Sequence, residues 1–174
     1  VLGSYSYEEK GRRPAGKESK RKAKRFQLVM SSPGARSPSS EPSMTFAACE
    51  AVNYARNLVN MPPNLCTPSY LAAEAVSQCR SRSLAVKTMG EREMARRGME
   101  GIMAVSRGSS HSPSLIRIEP RRFAKKKTVV IVGKGVTFDA GGYNLKATPQ
   151  LTSMKGDMAG AAVVIALMHL HTKF

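Results

Sequence analysis

Residues 128–132 (TVVIV) constrain this chain more than any other stretch. The run is continuous, apolar and β-branched, which is the pattern of a strand buried on both faces. A glycine-punctuated loop, residues 133–156, follows it, and a helix is expected from about residue 157 to 171. Upstream, residues 84–88 and 115–119 read as strands and residues 91–97 as a short helix stopped by Gly98. Thr67-Pro68 reads as an N-cap followed by Pro at the first helical position, opening a helix over 68–80 with Leu71, Ala72, Ala75, Val76 and Cys79 on one face. Residues 45–60 suit an amphipathic helix carrying Phe46, Cys49, Val52, Leu58 and Val59, ended by Pro62-Pro63. Strands alternating with helices predict an α/β fold, a partial and mainly parallel sheet flanked by helices. In such sheets functional groups gather beyond the carboxyl ends of strands, which directs attention to Gly133 onward.

Charge divides the chain. Its formal net charge is +16 over 174 residues, and residues 1–40 alone hold ten basic and three acidic side chains. Residues 1–43 read as a basic connector with a short strand at 26–30 and a Ser/Pro-rich linker at 31–43. The dense run over residues 10–25 has no apolar periodicity and no interleaved aromatics. A solvated connector therefore fits it better than a base-stacking surface, although the charge keeps a patch for nucleic acid or acidic lipid as the competing reading. The basic turn at residues 121–127 is read the same way. Three cysteines, Cys49, Cys66 and Cys79, form no C-x-x-C pair, so neither a disulfide framework nor a Cys-rich zinc site is expected. The longest apolar stretch, residues 158–170, is shorter than the roughly 18–20 residues that span a bilayer, so no membrane partner is expected. No charged-then-apolar leader is legible. His169 and His171, two apart on a helix, point to different sides and are not expected to share a ligand. Met89, Met94, Met99 and Met103 are expected to pack in the core.

The chemistry is concentrated in GKGVTFDAGGYNLK (residues 133–146) and MKGDMAGAA (residues 154–162). Two Lys and two Asp occupy one Gly-rich segment that runs into a helix N-terminus. Neither a phosphate-binding G-x-x-x-x-G-K-[ST] loop nor a G-x-G-x-x-G fingerprint is present. The residue types suit a site for hard divalent cations. Two other readings stand beside it: Asp157 as a helix N-cap, and Lys134 and Lys146 as simple ion-pair partners of Asp139 and Asp157.

These two segments resemble the signature of the leucyl aminopeptidases, the M17 family of dinuclear metallopeptidases. YARNLVNMPPNLCTPSYLA (residues 54–72) resembles the start of that family's catalytic domain, MAVSRGS (residues 103–109) its A-V-x-x-G-S segment, and VLGSYSY (residues 1–7) the end of the region before that domain. The resemblance implies that residues 44–174 form the first part of the catalytic domain. It implies metal ligation by Lys134 through a neutral amine, by Asp139 as the carboxylate bridging two metals, and by Asp157. It implies catalysis by Lys146, a cation that steadies the substrate carbonyl oxygen, and substrate binding by Lys146 and Met154. Two divalent ions per subunit follow, Zn²⁺ or Mn²⁺, with Mg²⁺ or Co²⁺ as alternatives. Peptides with a free, leucine-like N-terminal residue would be the substrates, a homohexamer the assembly and the cytoplasm the compartment, with a plastid as the alternative. Ala140 stands where the family often has Ser, and Ala159 where it often has Gly; neither change removes a ligand. Tyr143-Asn144 resembles plant and apicomplexan members. The family's N-T-D-A-E-G-R segment, which supplies further metal ligands and an Arg, is absent from these 174 residues, so they are expected to bind metal weakly and to turn over no peptide alone. The competing functions are a degenerate structural family member and a DNA-binding relative.

Overall fold

The computed structural model describes residues 41–81, 83–121 and 127–173. The expected strand at 26–30, the basic run at 10–25, most of the linker and the middle of the basic turn at 121–127 lie outside the described residues.

Helix α1 (Glu41–Asn60) begins inside the stretch read as linker and ends just before Pro62-Pro63. Its buried face differs from expectation. Ala51, Ala55 and Leu58 are buried, while Phe46, Cys49 and Val52 face solvent. Ala51 and Ala55 pack on Ala166 of the last helix, and only side chains this small admit so close an approach. Helix α2 (Pro68–Cys79) forms where expected: the Thr67 hydroxyl accepts from the Tyr70 amide at 3.3 Å, and Leu71, Ala72, Ala75 and Cys79 are buried.

Strands β1 (Leu84–Gly90) and β2 (Ser114–Pro120) pair antiparallel, with Val86 opposite Ile118 and Lys87 opposite Arg117. Alternation places Val86, Ile116 and Ile118 against the core under α2, while Lys87, Arg117 and Glu119 share the other face. Between the strands lie α3 (Glu91–Arg96), closed by Gly98 at φ +68°, and α4 (Glu100–Ser106). Helix α4 was not legible in the sequence because its apolar residues do not form a buried stripe: Ile102 and Val105 are exposed. Of the four methionines in this region, Met94 is fully buried and Met89, Met99 and Met103 are partly so.

The mixture of helices and strands is α/β, but two expectations fail within the described residues. The one ladder is antiparallel rather than parallel. Residues 128–132 join no ladder, and Val129, Val130, Ile131 and Val132 are exposed. A strand buried on both faces needs neighbours on both edges and both faces, and no described strand lies beside this run.

The segment read as a loop at 133–156 contains α5 (Thr148–Ser153) and a 3-10 turn (Met154–Gly156), followed by α6 (Ala159–His171). The span Thr148–His171 is apolar and long enough to cross a bilayer by composition. It is three elements rather than one helix, and α6 itself, 13 residues and about 20 Å long at 1.5 Å per residue, is shorter than a bilayer core. Ala162 and Ile165 of α6 join Leu58, Met61, Cys66, Leu71, Ala75, Cys79 and Met158 in the main core. Polar contacts lock the three long helices together. Tyr54 and Tyr70 donate to the two oxygens of Glu74 at 3.0 and 3.3 Å, and the His169 ring nitrogen Nδ1 meets the Gln78 carbonyl at 3.0 Å. His169 is thus occupied in helix packing, whereas His171 is exposed.

Candidate active site

The site is assembled by two backbone devices. The first brings residues 133–134 across the start of α6. The Ala161 amide donates to the Lys134 carbonyl at 2.8 Å. The chains approach so closely that a Cβ on Gly133 would lie 2.4 Å from the Gly160 carbonyl oxygen, and one on Gly160 would lie 2.7 Å from the Lys134 nitrogen. Glycine at both positions is therefore a steric requirement. The crossing delivers Lys134 to Asp157, with Nζ 2.9 Å from Oδ1.

The second device is the turn over residues 139–146. Gly141 adopts φ +94°, and a Cβ there would meet the Asn144 carbonyl oxygen at 2.3 Å. The Lys146 amide donates to the Ala140 carbonyl at 3.0 Å, closing the turn. This returns Lys146 to Asp139: Nζ donates to Oδ2 at 2.5 Å, while the Gly141 amide donates to Oδ1 at 2.8 Å. The Lys146 hydrogen bond above all, then the Gly141 amide, hold the Asp139 carboxyl below its ordinary pKa; desolvation opposes them, and the charges of Lys146 and Lys134 add smaller lowering effects.

Asp157 is not the N-cap that its position suggested. Met158 occupies that place and makes no side-chain cap bond. The Asp157 carboxylate instead turns toward Lys134, and its second oxygen, Oδ2, is buried with no hydrogen-bond partner. A desolvated carboxylate oxygen without a donor is costly and marks a place where a cation fits. Among the described residues no three His, Cys, Asp or Glu side chains lie close enough to hold a metal ion. The resemblance to the aminopeptidase signature implies an amine beside the carboxylates as donor, and the structure places the Lys134 amine next to Asp157. Met154, half-buried, opens the 3-10 turn whose closing bond runs from the Asp157 amide to the Met154 carbonyl at 3.2 Å.

Sequence reasoning identified the four charged residues but missed what holds them. The crossing contact of Gly133 with Gly160 and the α5 helix that precedes Met154 both escaped it. A signal for α5 was present: Pro149 stands in the first turn, and Gln150 reaches back to accept from the Ala147 amide at 3.2 Å.

Residues 53–174 match a family model described as the cytosol aminopeptidase family, catalytic domain. A probable cytosol aminopeptidase of Nitrosospira multiformis is 43% identical over 128 residues, covering 73% of this chain and 25% of that protein. One from Geobacter sulfurreducens is 46% identical over 118 residues, covering 67% and 24%. Among solved structures, the leucyl aminopeptidase of Trypanosoma cruzi is similar with a TM-score of 0.70 and 32% identity, over 78% of this chain and 27% of that one. The bottromycin maturation enzyme BotP in complex with Mn is similar with a TM-score of 0.67 and 35% identity, over 75% and 28%. The chain spans about a quarter of the length of the curated relatives it matches.

Proposed function

Because the chain belongs to the cytosol aminopeptidase family through its catalytic domain, we propose that residues 44–174 are the first part of the catalytic domain of a metal-dependent aminopeptidase, with residues 1–43 as a basic connector before it. Lys134, Asp139 and Asp157 hold divalent cations, two per subunit, with Zn²⁺ or Mn²⁺ as the first choice and Mg²⁺ or Co²⁺ as alternatives. Lys146 is the catalytic cation, and Lys146 and Met154 contact the substrate. The substrates are peptides with a free N-terminus and a leucine-like first residue. The assembly is a homohexamer in the cytosol. The observation that carries this reading is the orphaned, buried Oδ2 of Asp157 beside the Lys134 amine.

When bound, the cations supply Lewis acidity and an activated water for attack on the peptide carbonyl. The protein's residues do the rest. Lys134 would hold a cation through its amine nitrogen, beside Asp157. Asp139 would hold a cation through its carboxylate, and the Gly141 amide orients its Oδ1. Lys146 would present its ammonium to the oxygen on which negative charge develops. Met154 offers an apolar, pliable wall to the first side chain of the peptide.

Hydrolysis of a leucine anilide by the intact protein with added Mn²⁺ or Zn²⁺ tests the assignment. Lys146→Met is expected to lower kcat by about 100-fold or more with Mn²⁺ binding retained, and Asp157→Asn to weaken Mn²⁺ binding by at least about tenfold. Full turnover in Lys146→Met would overturn the role of Lys146. The 174 residues taken alone are expected to bind metal weakly and release no leucine; robust turnover by them would refute that part.

A further inference from the structure

We propose that Lys155 is a positioning residue that ties the turn bearing Met154 and Asp157 to the C-terminal end of α1. The inference rests on the reading of Asp157 as a metal ligand. Helix α1 ends at Asn60 with no basic residue in its own last turn. Pro62 and Pro63 carry no N–H, so the ladder cannot continue to the Leu58 and Val59 carbonyls through them. A cation beside the last carbonyls of a helix is favourable, because the negative end of its dipole lies there. One such cation comes from 95 residues downstream: the Lys155 ammonium donates to the Asn60 carbonyl at 3.5 Å, in a partly buried setting.

The same turn makes a second contact with α1. A Cβ on Gly156 would stand 3.6 Å from Val59 Cγ1, so backbone and helix already lie at packing distance there. Met154 and Asp157 flank these two contacts directly, and the Asp157 amide closes the turn on the Met154 carbonyl. A turn anchored at its centre fixes both neighbours: Asp157 toward Lys134 on one side, and Met154 on the other. The main core supports the arrangement, because Met158, fully buried against Leu58 and Met61, holds the chain immediately after Asp157.

The test is the Mn²⁺ affinity of the intact protein, measured by titration calorimetry on Lys155→Met and Lys155→Arg with the metal-free Tm of each. The sign of the effect discriminates. If Lys155 acted only through its field, removing a positive charge near the site would tighten the binding of a dication. Positioning predicts the opposite: Lys155→Met weakens Mn²⁺ binding by about tenfold, the size expected when a support of a ligand is lost, and Lys155→Arg restores it to within about threefold. If Lys155→Met fails to fold, Lys155→Gln takes its place, with weakened binding again expected. Unchanged or tighter Mn²⁺ binding in the neutral variants, with Asp157→Asn still impaired, would overturn the proposal. Unchanged binding in Asp157→Asn would instead remove the metal reading on which it rests.

Discussion

Gly160→Ala sets two physical effects against each other at one atom. Gly160 is the second residue of α6, and by helix propensity alone its replacement by alanine stabilises, by at most about 1 kcal/mol. The added Cβ, however, falls 2.7 Å from the Lys134 nitrogen and 3.3 Å from both the Gly133 Cα and the Lys134 oxygen. All three are backbone atoms, which cannot swing aside as a side-chain tip would. Forcing a methyl group into such a contact costs about 1–3 kcal/mol. Displacing the 133–134 segment also weakens the 2.8 Å bond from the Ala161 amide to the Lys134 carbonyl, worth about 1 kcal/mol. The balance is a net destabilisation of about 1–3 kcal/mol, a large share of the ~5–15 kcal/mol that holds a typical domain together. Lys134 moves with its backbone, so its 2.9 Å contact with Asp157 lengthens, and metal affinity falls with stability. Urea denaturation monitored by circular dichroism measures the first effect and Mn²⁺ titration the second. A variant as stable as the parent or more so would show that propensity outweighs the crossing contact, and the steric account of the site would be wrong.

Two further outcomes follow from the sheet and the core. Glu119 reaches Lys87 and Arg117 at 2.6 and 2.5 Å, and these two cations stand directly opposite each other across the strands, where like charges repel. The Lys87 hydrogen bond above all, with the charges of both cations, depresses the Glu119 pKa below its ordinary value. Its stabilising share is therefore present above about pH 4.5 and lost as pH falls through the depressed value; Glu119→Gln should lower the Tm near pH 7 and flatten its acid limb, and an unaltered Tm-against-pH curve would refute this. Burial raises the thiols of Cys66 and Cys79 to about 11, so neither is expected to be alkylated by iodoacetamide at pH 8 in the folded protein, whereas exposed Cys49 is; mass spectrometry of the native adducts decides it.

What the sequence determined was local. Thr67-Pro68 set the start of α2 because a hydroxyl and a ring with fixed φ act within one turn. Residues 84–88 and 115–119 read as strands and lie within β1 and β2, and the segments bearing Lys134, Asp139, Lys146 and Asp157 announced the family. Tertiary structure decided everything that depends on a partner distant in the chain. The face α1 buries was settled by how near α6 comes, which selected Ala51 and Ala55 over Phe46 and Val52. The run TVVIV has a strand's composition, yet a ladder requires neighbours that composition does not supply. Asp157 stands where a cap would stand, and it became an ion-pair partner with one orphaned oxygen only because two glycines, 27 positions apart, let the backbone of Lys134 cross the head of α6.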